Sequence, residues 1–440
     1  WSLDVPGSQL NVEFVDVQDS DASGYTELIA ATSTDSGNNT NWCFADCGAA
    51  PADEWNSTDW TLYDTITIKH ENIDEPLRDF PVYVNLADLS PAFWATIVDG
   101  GGDIRVTTND GTPVELAREV VSASTTLETG ELHFKADYIS EVIDTSFRIY
   151  YNGTTTGDYA TDAAYGAENV WTNAFEGVWH LGEGDNTASG FYKDSTANRN
   201  NGTLTDADGD TTNSTGLLGD AIDFDGDADL ISTGLVWDTD KSEVTVSYWN
   251  NIESGEVKTT FGFGAVNGNE RLSAHAPWSD SNMYWDYGTC CGEGRIVTSY
   301  TSSLNKWTHV NLVYQTTPNT LRGIYFDGSL RASNTVADEP TATLSNFSIG
   351  GIGTTVLRGD IDEFRLSSEA RAAAWVRAEY QNQSTPTNFY TLTNATGATG
   401  SSTIANHDAG QVSNAFDFQN KTNEPLYAFK LNPNSGTATV

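Results

Sequence analysis

The sequence predicts an all-β protein made of tandem β-sandwiches with one short helix. Apolar and polar residues alternate in run after run, for example over residues 80–86 and 244–249, and this two-residue period is that of a strand buried on one face. Asn-Gly and Asp-Gly pairs separate the runs and indicate tight turns. Only residues 368–383, rich in Ala, Glu and Arg, have the composition of a helix. Strands of this length and spacing favour β-sandwiches.

The strand patterns divide the 440 residues into four predicted segments. Residues 1–60 contain an N-terminal strand pattern followed by a polar stretch, and residues 61–152 form a compact block that predicts a small β-sandwich. Residues 153–392 form a longer block of strands. Residues 393–440 begin as a Thr-, Ala- and Gly-rich linker and end in strand-like runs, which predict part of a further β domain.

The charge balance is strongly acidic and limits the classes of partner. The 62 Asp and Glu residues against 21 Lys and Arg residues give a net charge of −41. Such a surface repels nucleic acid and anionic lipid, so neither is a predicted partner. The excess charge either attracts divalent cations or keeps the protein soluble at high salt, and composition favours neither reason. No run of eighteen apolar residues occurs, so the sequence predicts no membrane-spanning helix.

The first residue and the cysteines indicate an oxidising compartment. The chain starts at Trp1 rather than Met, which favours an export signal or anchor ahead of it and a secreted, extracellular or cell-surface location. In an exported chain we expect a disulfide between Cys43 and Cys47. A bond between the adjacent Cys290 and Cys291 would be strained, so pairing across the two clusters, or a zinc site with all four cysteines, is the alternative.

Nine Asn-x-Ser/Thr sequons mark candidate sites of N-glycosylation. An Asn- and Thr-rich chain contains many of these by chance, and they are used only where the organism has the machinery. The candidate residues are Asn38, Asn56, Asn152, Asn201, Asn213, Asn346, Asn382, Asn394 and Asn420.

Two blocks of the chain resemble known families. The small block carries DFPVYVNL at 79–86 and FRIYYNG at 147–153, and it resembles an uncharacterised β-sandwich family that often precedes a laminin-G-like module in exported bacterial and archaeal proteins. The long block carries GVWHL at 177–181, KWTHV at 306–310 and GDIDEFR at 359–365, and it resembles the laminin-G-like, or concanavalin-A-like, jelly roll. The resemblance implies an extracellular cell-surface protein whose jelly roll holds one structural calcium ion.

Asp362 and Asp194 are the first two predicted calcium ligands. On a regular strand Asp362 shares a face with Phe364 and Leu366, and a carboxylate on an apolar face needs an arginine or a metal ion as its partner. Asp194 and the Asn-rich loop after it offer further oxygen ligands, which calcium prefers. Hydrogen bonding of these carboxylates to backbone amides is the alternative.

A second acidic group supplies two more candidate calcium ligands, Asp223 and Asp225. Together with Asp227 and Asp229 they resemble the start of an EF-hand loop, but no Glu occupies the twelfth position and the group lies beside a strand. A solvated acidic turn is the favoured alternative.

The sequence argues against hydrolysis. The jelly-roll scaffold also hosts β-glucanases, whose catalytic strand has the pattern Glu-x-Asp-x-x-Glu because retaining chemistry needs two paired carboxylates. The nearest match, from Asp360 to Arg365, lacks the first Glu and has Arg365 in place of the second. His180 and His309 lie close to tryptophans in strand patterns and are interpreted as packed sheet residues. No catalytic residue is therefore predicted.

Aromatic residues between 265 and 295 are candidates for glycan binding. Trp278, Tyr284 and Trp285, with Asp286 beside them, suit stacking on sugar rings and hydrogen bonding to hydroxyl groups. Packing of Trp285 in the sandwich core is the alternative.

These observations predict a non-catalytic structural or adhesive protein of a cell surface, in one form the subunit of a filament or layer. Strands near Leu10–Val17 and Ala415–Leu431 are candidates for pairing with other copies or other surface proteins by strand addition. A carbohydrate-binding module of an exported glycan-processing system is the second interpretation. A glycoside hydrolase is the least favoured.

Overall fold

A computed structural model describes residue 55 and residues 59–394, apart from 110–112, 207–208, 210, 228, 253–258, 265–269, 290 and 317–318, together with four short N-terminal strands. The predicted all-β class is confirmed, with 48% of the described residues in strands and 10% in helices. Within the described residues, no helix combines the length and the apolar character needed to cross a membrane.

Strands make up most of the elements along the chain. Strands β1–β4 are Asp16–Gln18, Leu28–Ile29, Thr34–Gly37 and Trp42–Cys43. Strands β5–β11 are Trp60–Ile68, Leu77–Asn85, Arg105–Thr108, Glu115–Leu116, Arg118–Ser124, Thr129–Ile139 and Thr145–Gly153, and helix α1 is Pro91–Trp94. Strands β12–β28 are Phe175–Trp179, Thr203–Thr205, Thr212–Thr215, Asp220–Asp225, Leu230–Ser232, Val244–Ile252, Phe261–Gly264, Glu270–His275, Asn282–Thr289, Arg295–Ser299, Thr308–Gln315, Leu321–Phe326, Ser329–Asn334, Ser345–Ile349, Gly351–Ile352, Thr355–Val356 and Arg358–Ser367. Helices α2 and α3 are Ala373–Ser384 and Pro386–Phe389, strand β29 is Tyr390–Asn394, and short 3-10 helices are His70–Asn72, Leu86–Asp88, Ala167–Asn169 and Thr301–Ser303.

The small sandwich packs a three-stranded sheet, β6-β10-β9, on a five-stranded sheet, β29-β5-β11-β7-β8. Alternating residues such as Ile66, Val82 and Phe134 fill its core. Its edge strand β29 comes from the far end of the chain and pairs antiparallel with β5. The predicted boundary at residue 392 therefore falls inside a strand of this sandwich, and residues 395–440 lie outside the described part of the chain.

The jelly roll packs an eight-stranded sheet, β14-β15-β28-β17-β22-β23-β24 with β12 also paired to β28, against a seven-stranded sheet, β13-β16-β25-β18-β19-β20-β21. Aromatic side chains such as Trp179, Phe347 and Phe364 fill the space between the sheets. Each sheet has an outer face as well, and the outer face of the eight-stranded sheet is covered by α2 and by the small sandwich.

Strand β28 contains a β-bulge that changes which residues face the core. Ser247 of β17 lies opposite Arg365, but Trp249 lies opposite Asp362, so β28 carries one extra residue between these pairs. Glu363 takes up the extra residue with a left-handed backbone (φ 52°). Ile361 and Phe364 therefore both point into the core, while Asp362, Glu363 and Arg365 point to the outer face. The prediction that Asp362 shares a face with Phe364 and Leu366 is wrong because it assumed regular alternation.

Helix α2 lies between the two sandwiches. Trp375 and Ala378 belong to the core of the small sandwich, whereas Val376 packs with Val313 and Tyr325 of the jelly roll. The helix predicted over 368–383 is found, although it begins only at Ala373. The single-turn helices α1 and α3 were not predicted, because one turn is too short to produce a periodic pattern.

Candidate functional site

Four titratable side chains converge where the small sandwich meets the jelly roll, and we call them the His-Glu cluster: Glu131, His133, His180 and Glu363. Glu131 and His133 lie on β10, His180 directly follows β12, and Glu363 lies at the bulge of β28. All four are buried, and their potential ligand atoms lie within 4.8 Å of one another. Each sandwich therefore contributes one half of a buried polar site.

Direct polar contacts join the cluster. One carboxylate oxygen of Glu363 contacts Nδ1 of His180, and the other contacts the guanidinium of Arg365. Nε2 of His133 lies 2.8 Å from Oε1 of Glu131, and the same oxygen lies 3.5 Å from Nδ1 of His180. Of these contacts, the one between Glu131 of the small sandwich and His180 of the jelly roll crosses from one sandwich to the other.

Glu119 of β9 fixes the His180 ring from the other side. Its carboxylate accepts hydrogen bonds from Nε1 of Trp171 and Oγ of Ser195, both at 2.6 Å. The same carboxylate lies 3.2 Å from Nε2 of His180. With Nε2 bonded to Glu119, Nδ1 of His180 is directed into the cluster.

The polar layer continues toward helix α2. Arg365 donates from Nη1 to Glu379 of α2 at 3.0 Å, and Glu379 also accepts from the side-chain amide of Asn311 at 3.0 Å. Asn382 of α2 bonds both the backbone N–H and the carbonyl of Tyr83 on β6, at 2.7 and 2.9 Å. The helix therefore bonds both sandwiches through buried side chains.

Burial and neighbouring charges shift the pKa values in the cluster in opposite directions. Burial raises the pKa of Glu131 well above its ordinary value, and the charge of Glu363 raises it further. Burial lowers the pKa of His133. Burial acts to lower the pKa of His180 as well, but the Glu363 and Glu119 carboxylates outweigh it, so this pKa is raised. Burial acts to raise the pKa of Glu363, but His180 and Arg365 outweigh it, so this pKa is lowered. These shifts favour the charged forms of His180 and Glu363 and the neutral forms of His133 and Glu131.

Asp194, a predicted calcium ligand, is held by backbone amides. Its carboxylate accepts from the N–H groups of Val178, Thr196 and Asn200 at 2.8–3.0 Å. The loop therefore presents N–H groups to this carboxylate, and an N–H group does not ligate a cation. This geometry is that of the amide-bonded alternative.

The other predicted calcium ligands lie elsewhere. Asp362 accepts from the N–H groups of Leu217 and Leu218 at 2.8 and 2.9 Å, and burial raises its pKa well above the ordinary value. Asp223 lies across from Asp360 in the pairing of β15 with β28, and Asp225 accepts from the N–H of Asp227 at 2.8 Å. Among the described residues, only the His-Glu cluster brings three or more His, Cys, Asp or Glu side chains within reach of one ion. Calcium binding by the four aspartates stays a prediction.

The glycan-binding candidates separate into core and surface residues. Trp285 is fully buried in the jelly-roll core, so its assignment to a sugar site is wrong and the core alternative holds. Asp286 is also fully buried and accepts two hydrogen bonds from Arg295, at 2.6 and 2.7 Å. Trp278 and Tyr284 are partly exposed, with ring centroids 6.5 Å apart in an edge-to-face arrangement. Of the four candidates, only these two remain available to a sugar.

One glycosylation candidate is excluded by its position. Asn382 is 1% exposed and bonds the backbone of Tyr83, so no glycan can be attached there in the folded protein. Asn152, Asn213 and Asn346 are exposed, and Asn201 is half-buried. The side chains of Asn38, Asn56, Asn394 and Asn420 lie outside the described residues.

Cys291 is disulfide-bonded. The side chains of Cys43, Cys47 and Cys290 lie outside the described residues, so the predicted pairing stays a prediction.

The sequence analysis missed most of the His-Glu cluster. It placed His180 as a packed sheet residue, which describes its burial but not its ion pairs. Glu131 and His133 were not noted, although their spacing of two residues on a strand puts them on one face. No local pattern connects them with Glu363, because the contact depends on how the sandwiches pack.

Residues 224–377 match the family described as the concanavalin A-like lectin/glucanases superfamily, of the laminin G type. The chain therefore carries a concanavalin-A-like jelly roll, as the resemblance implied. A search of curated proteins finds no match.

Several solved structures are similar to part of the chain. The receptor binding domain of botulinum neurotoxin D has a TM-score of 0.37 and 16% identity, covering 48% of this chain and 53% of that one. The binding domain of Paraclostridial Mosquitocidal Protein 1 has a TM-score of 0.34 and 15% identity, covering 47% and 52%. Domain 4 of AbnA, an extracellular arabinanase from Geobacillus stearothermophilus, in complex with arabinotriose, has a TM-score of 0.36 and 20% identity, covering 46% and 96%. The chain spans about half the length of the two toxin structures.

Proposed function

We propose that the chain is a non-catalytic extracellular protein with a structural or adhesive role at a cell surface. The observation that carries this proposal is the coupling of the two sandwiches through the His-Glu cluster. Glu363 of the jelly roll is 1% exposed and lies against Glu131 and His133 of the small sandwich. Two sandwiches coupled by buried polar contacts resist separation, which suits a protein that transmits force or holds a binding surface at a distance.

The hydrogen bonds and the burial of Asp362 and Glu363 on β28 support a non-catalytic role. Hydrolysis of a glycosidic bond needs two carboxyl groups that reach the substrate. Asp362 is bonded to two backbone amides, and Glu363 is paired with His180 and Arg365. Both are buried, so neither has access to a polysaccharide.

The proposal is tested by imaging and by an activity assay on the full chain. We expect filaments, layers or adhesion to isolated cell envelopes, with no release of reducing sugar from β-glucans. Dispersed protein that binds no envelope would contradict the structural or adhesive role. Release of reducing sugar from β-glucans by the purified wild-type chain would contradict the non-catalytic role.

Glycan binding is the second candidate, and Trp278 and Tyr284 favour it. Their partly exposed rings lie beside Asp280, whose carboxylate accepts from the Tyr284 hydroxyl at 2.6 Å. Aromatic faces beside a carboxylate suit sugar stacking with hydrogen bonding. A glycan array with wild type, Trp278→Ala and the control Trp307→Ala tests this. Binding lost only in Trp278→Ala supports a sugar site at these rings, and equal binding by all three excludes it. A chelator arm shows whether any binding depends on calcium.

A further inference from the structure

The His-Glu cluster has the donor set of a metal site. It offers two imidazole nitrogens and two carboxylate oxygens: Nε2 of His133, Nδ1 of His180, Oε1 of Glu131 and Oε1 of Glu363. In a tetrahedral zinc site with bonds of about 2.0–2.1 Å, neighbouring ligand atoms lie about 3.4 Å apart. Oε1 of Glu131 lies 3.5 Å from Nδ1 of His180 and 2.8 Å from Nε2 of His133. An ion fits after movements that open the His180–Glu363 contact and close the widest separation in the group, which is within 4.8 Å.

The local charge favours a cation. Glu119, Glu131 and Glu363 meet at the cluster, and the cations beside them are protonated His180, whose proton a metal ion would replace, and Arg365, which is shared with Glu379. Buried carboxylates in excess of cations are costly unless protons or a metal ion neutralise them. A divalent ion supplies the missing charge at the centre of the group.

The surroundings of the cluster are those of an oriented ligand set. Glu119 lies at Nε2 of His180, which forms a carboxylate–histidine arrangement that directs Nδ1 inward. Arg365 holds one oxygen of Glu363 and leaves Oε1 directed at the group. Glu363 has this direction because of its left-handed backbone at the bulge, a conformation that a non-glycine residue adopts at a cost. Bulges commonly re-aim side chains at functional sites.

From this geometry we propose that the His-Glu cluster binds one divalent transition-metal ion of the zinc class between the two sandwiches. Two nitrogen donors exclude calcium and magnesium as the preferred ions, since both take oxygen ligands. Imidazole with carboxylate suits zinc, cobalt and related ions. Four protein ligands leave no open position, which defines a structural site, and the ligands come from both sandwiches, so the ion would cross-link them.

Metal content of the untagged wild-type chain is the first test. We expect one zinc ion per chain after dialysis against zinc and gel filtration, and none after treatment with a strong chelator. Cobalt added to the chelated protein should give the strong visible absorption of tetrahedral cobalt. Zinc should raise the unfolding midpoint by a few degrees, because an ion that binds only the folded state stabilises it. Magnesium at the same concentration controls for weak binding to the acidic surface and should give no such shift.

Variants locate the ion. His133→Gln should remove the bound zinc, whereas the control His309→Gln, an equally buried histidine on the outer face of the eight-stranded sheet, should retain it. Glu119→Gln should weaken zinc binding by about 10–100-fold without abolishing it, as changes behind a ligand typically do.

Two results would overturn the proposal. One is folded wild-type protein that retains no zinc and shows no shift of its midpoint. The other is unchanged zinc binding in His133→Gln. If His133→Gln does not fold, X-ray absorption spectroscopy of the zinc-loaded wild type tests the proposal instead. The spectrum must show two imidazole ligands on the zinc, and a spectrum without them would overturn the proposal. The structural or adhesive role does not depend on this ion, so failure of the zinc proposal leaves that role in place.

Discussion

The outer faces of the two jelly-roll sheets each bury a carboxylate, and they satisfy it differently. On the eight-stranded sheet, Glu363 pairs with His180 and Arg365 of the jelly roll itself, and His180 in turn lies 3.2 Å from Glu119 and 3.5 Å from Glu131 of the small sandwich. On the seven-stranded sheet, Asp286 pairs with Arg295 of the adjacent strand β21, and Arg271 lies 3.9 Å away on β19. The first arrangement joins two domains, whereas the second stabilises three neighbouring strands. A buried ion pair therefore has a different role according to where its partners come from.

Glu363→Gln should have the largest effect on stability. The substitution leaves His180 and Arg365 buried without their shared partner, and removing one member of a buried ion pair typically costs about 3–5 kcal/mol. We expect a loss of this size in the free energy of unfolding from denaturant titration followed by tryptophan fluorescence. Asp360→Asn on the same strand is the control and should cost less than about 1 kcal/mol, since Asp360 is only half-buried. A loss in Glu363→Gln no larger than in this control would show that the ion pairs of Glu363 with His180 and Arg365 do not stabilise the fold.

The seven-stranded face should produce a pH dependence through His275. Burial lowers the pKa of His275 to about 4, and the charges of Arg271 and Arg295 lower it while Asp286 opposes them. The unfolded ring has a pKa near 6.5, so it takes up a proton first as the pH falls. The contribution of this residue to stability is therefore complete above about pH 6.5 and is lost on the way to about pH 4, by up to about 3 kcal/mol.

Denaturant titrations between pH 7 and pH 4 measure this contribution. In His275→Gln, the free energy of unfolding should depend less steeply on pH over this range. Thr259→Val, which removes the hydroxyl bonded to Nδ1 of His275 at 2.7 Å but keeps the ring, should retain most of it. If the free energy of unfolding falls equally with pH in wild type and His275→Gln, other groups account for the acid sensitivity.

Asp286→Asn should cost less than Glu363→Gln, although both carboxylates are buried. The side chain of Arg295 is 25% exposed and can turn to water once its partner is neutral. We expect a loss of about 1–3 kcal/mol, as for a lost hydrogen bond to a charged group. Denaturant titration of the two variants side by side tests the comparison, and equal losses would contradict the distinction between the two faces.

The sequence predicted the fold much better than the site. Alternation and turn residues were sufficient for the all-β class, and the ordered motifs predicted the jelly roll that the family match confirms. Both depend on patterns local to a strand or to its turns. The strand β29 was assigned to the jelly-roll segment because it follows that segment in sequence, yet it pairs with β5 in the small sandwich.

The site depends on features that a strand pattern does not show. One extra residue at Glu363 places Asp362 on the outer face of the sheet instead of the core face. Nothing in the run GDIDEFR distinguishes a bulged strand from a regular one. Glu131 and Glu363 are more than 200 positions apart, and they meet because two sandwiches pack together. Trp285 and Trp278 were both candidates in sequence, with core packing left open for Trp285, and alternation along β20 buries Trp285 whereas Trp278, in the loop before β20, is partly exposed.

Trp278→Ala should have the smallest effect of the four changes. Its ring is partly exposed and makes edge contacts with His275 and Tyr284, at centroid distances of 5.0 and 6.5 Å. Such aromatic pairs contribute about 0.5–1.5 kcal/mol, so we expect a loss of about 1 kcal/mol in denaturant titration. Val297→Thr, at a 45% exposed position on strand β21, is the control and should stay within about 0.5 kcal/mol of wild type.

A loss of about 3–5 kcal/mol for Trp278→Ala would place this ring among the core tryptophans. The Trp278 ring would then be needed for packing, and this result would contradict sugar stacking on it. A small loss leaves the ring free for a ligand, because a side chain that contributes little to the fold can be replaced without disturbing the strands beneath it. The outer face of the seven-stranded sheet then has a buried ion pair that stabilises its strands and an aromatic surface that is available for binding. The outer face of the eight-stranded sheet differs because it packs against the small sandwich.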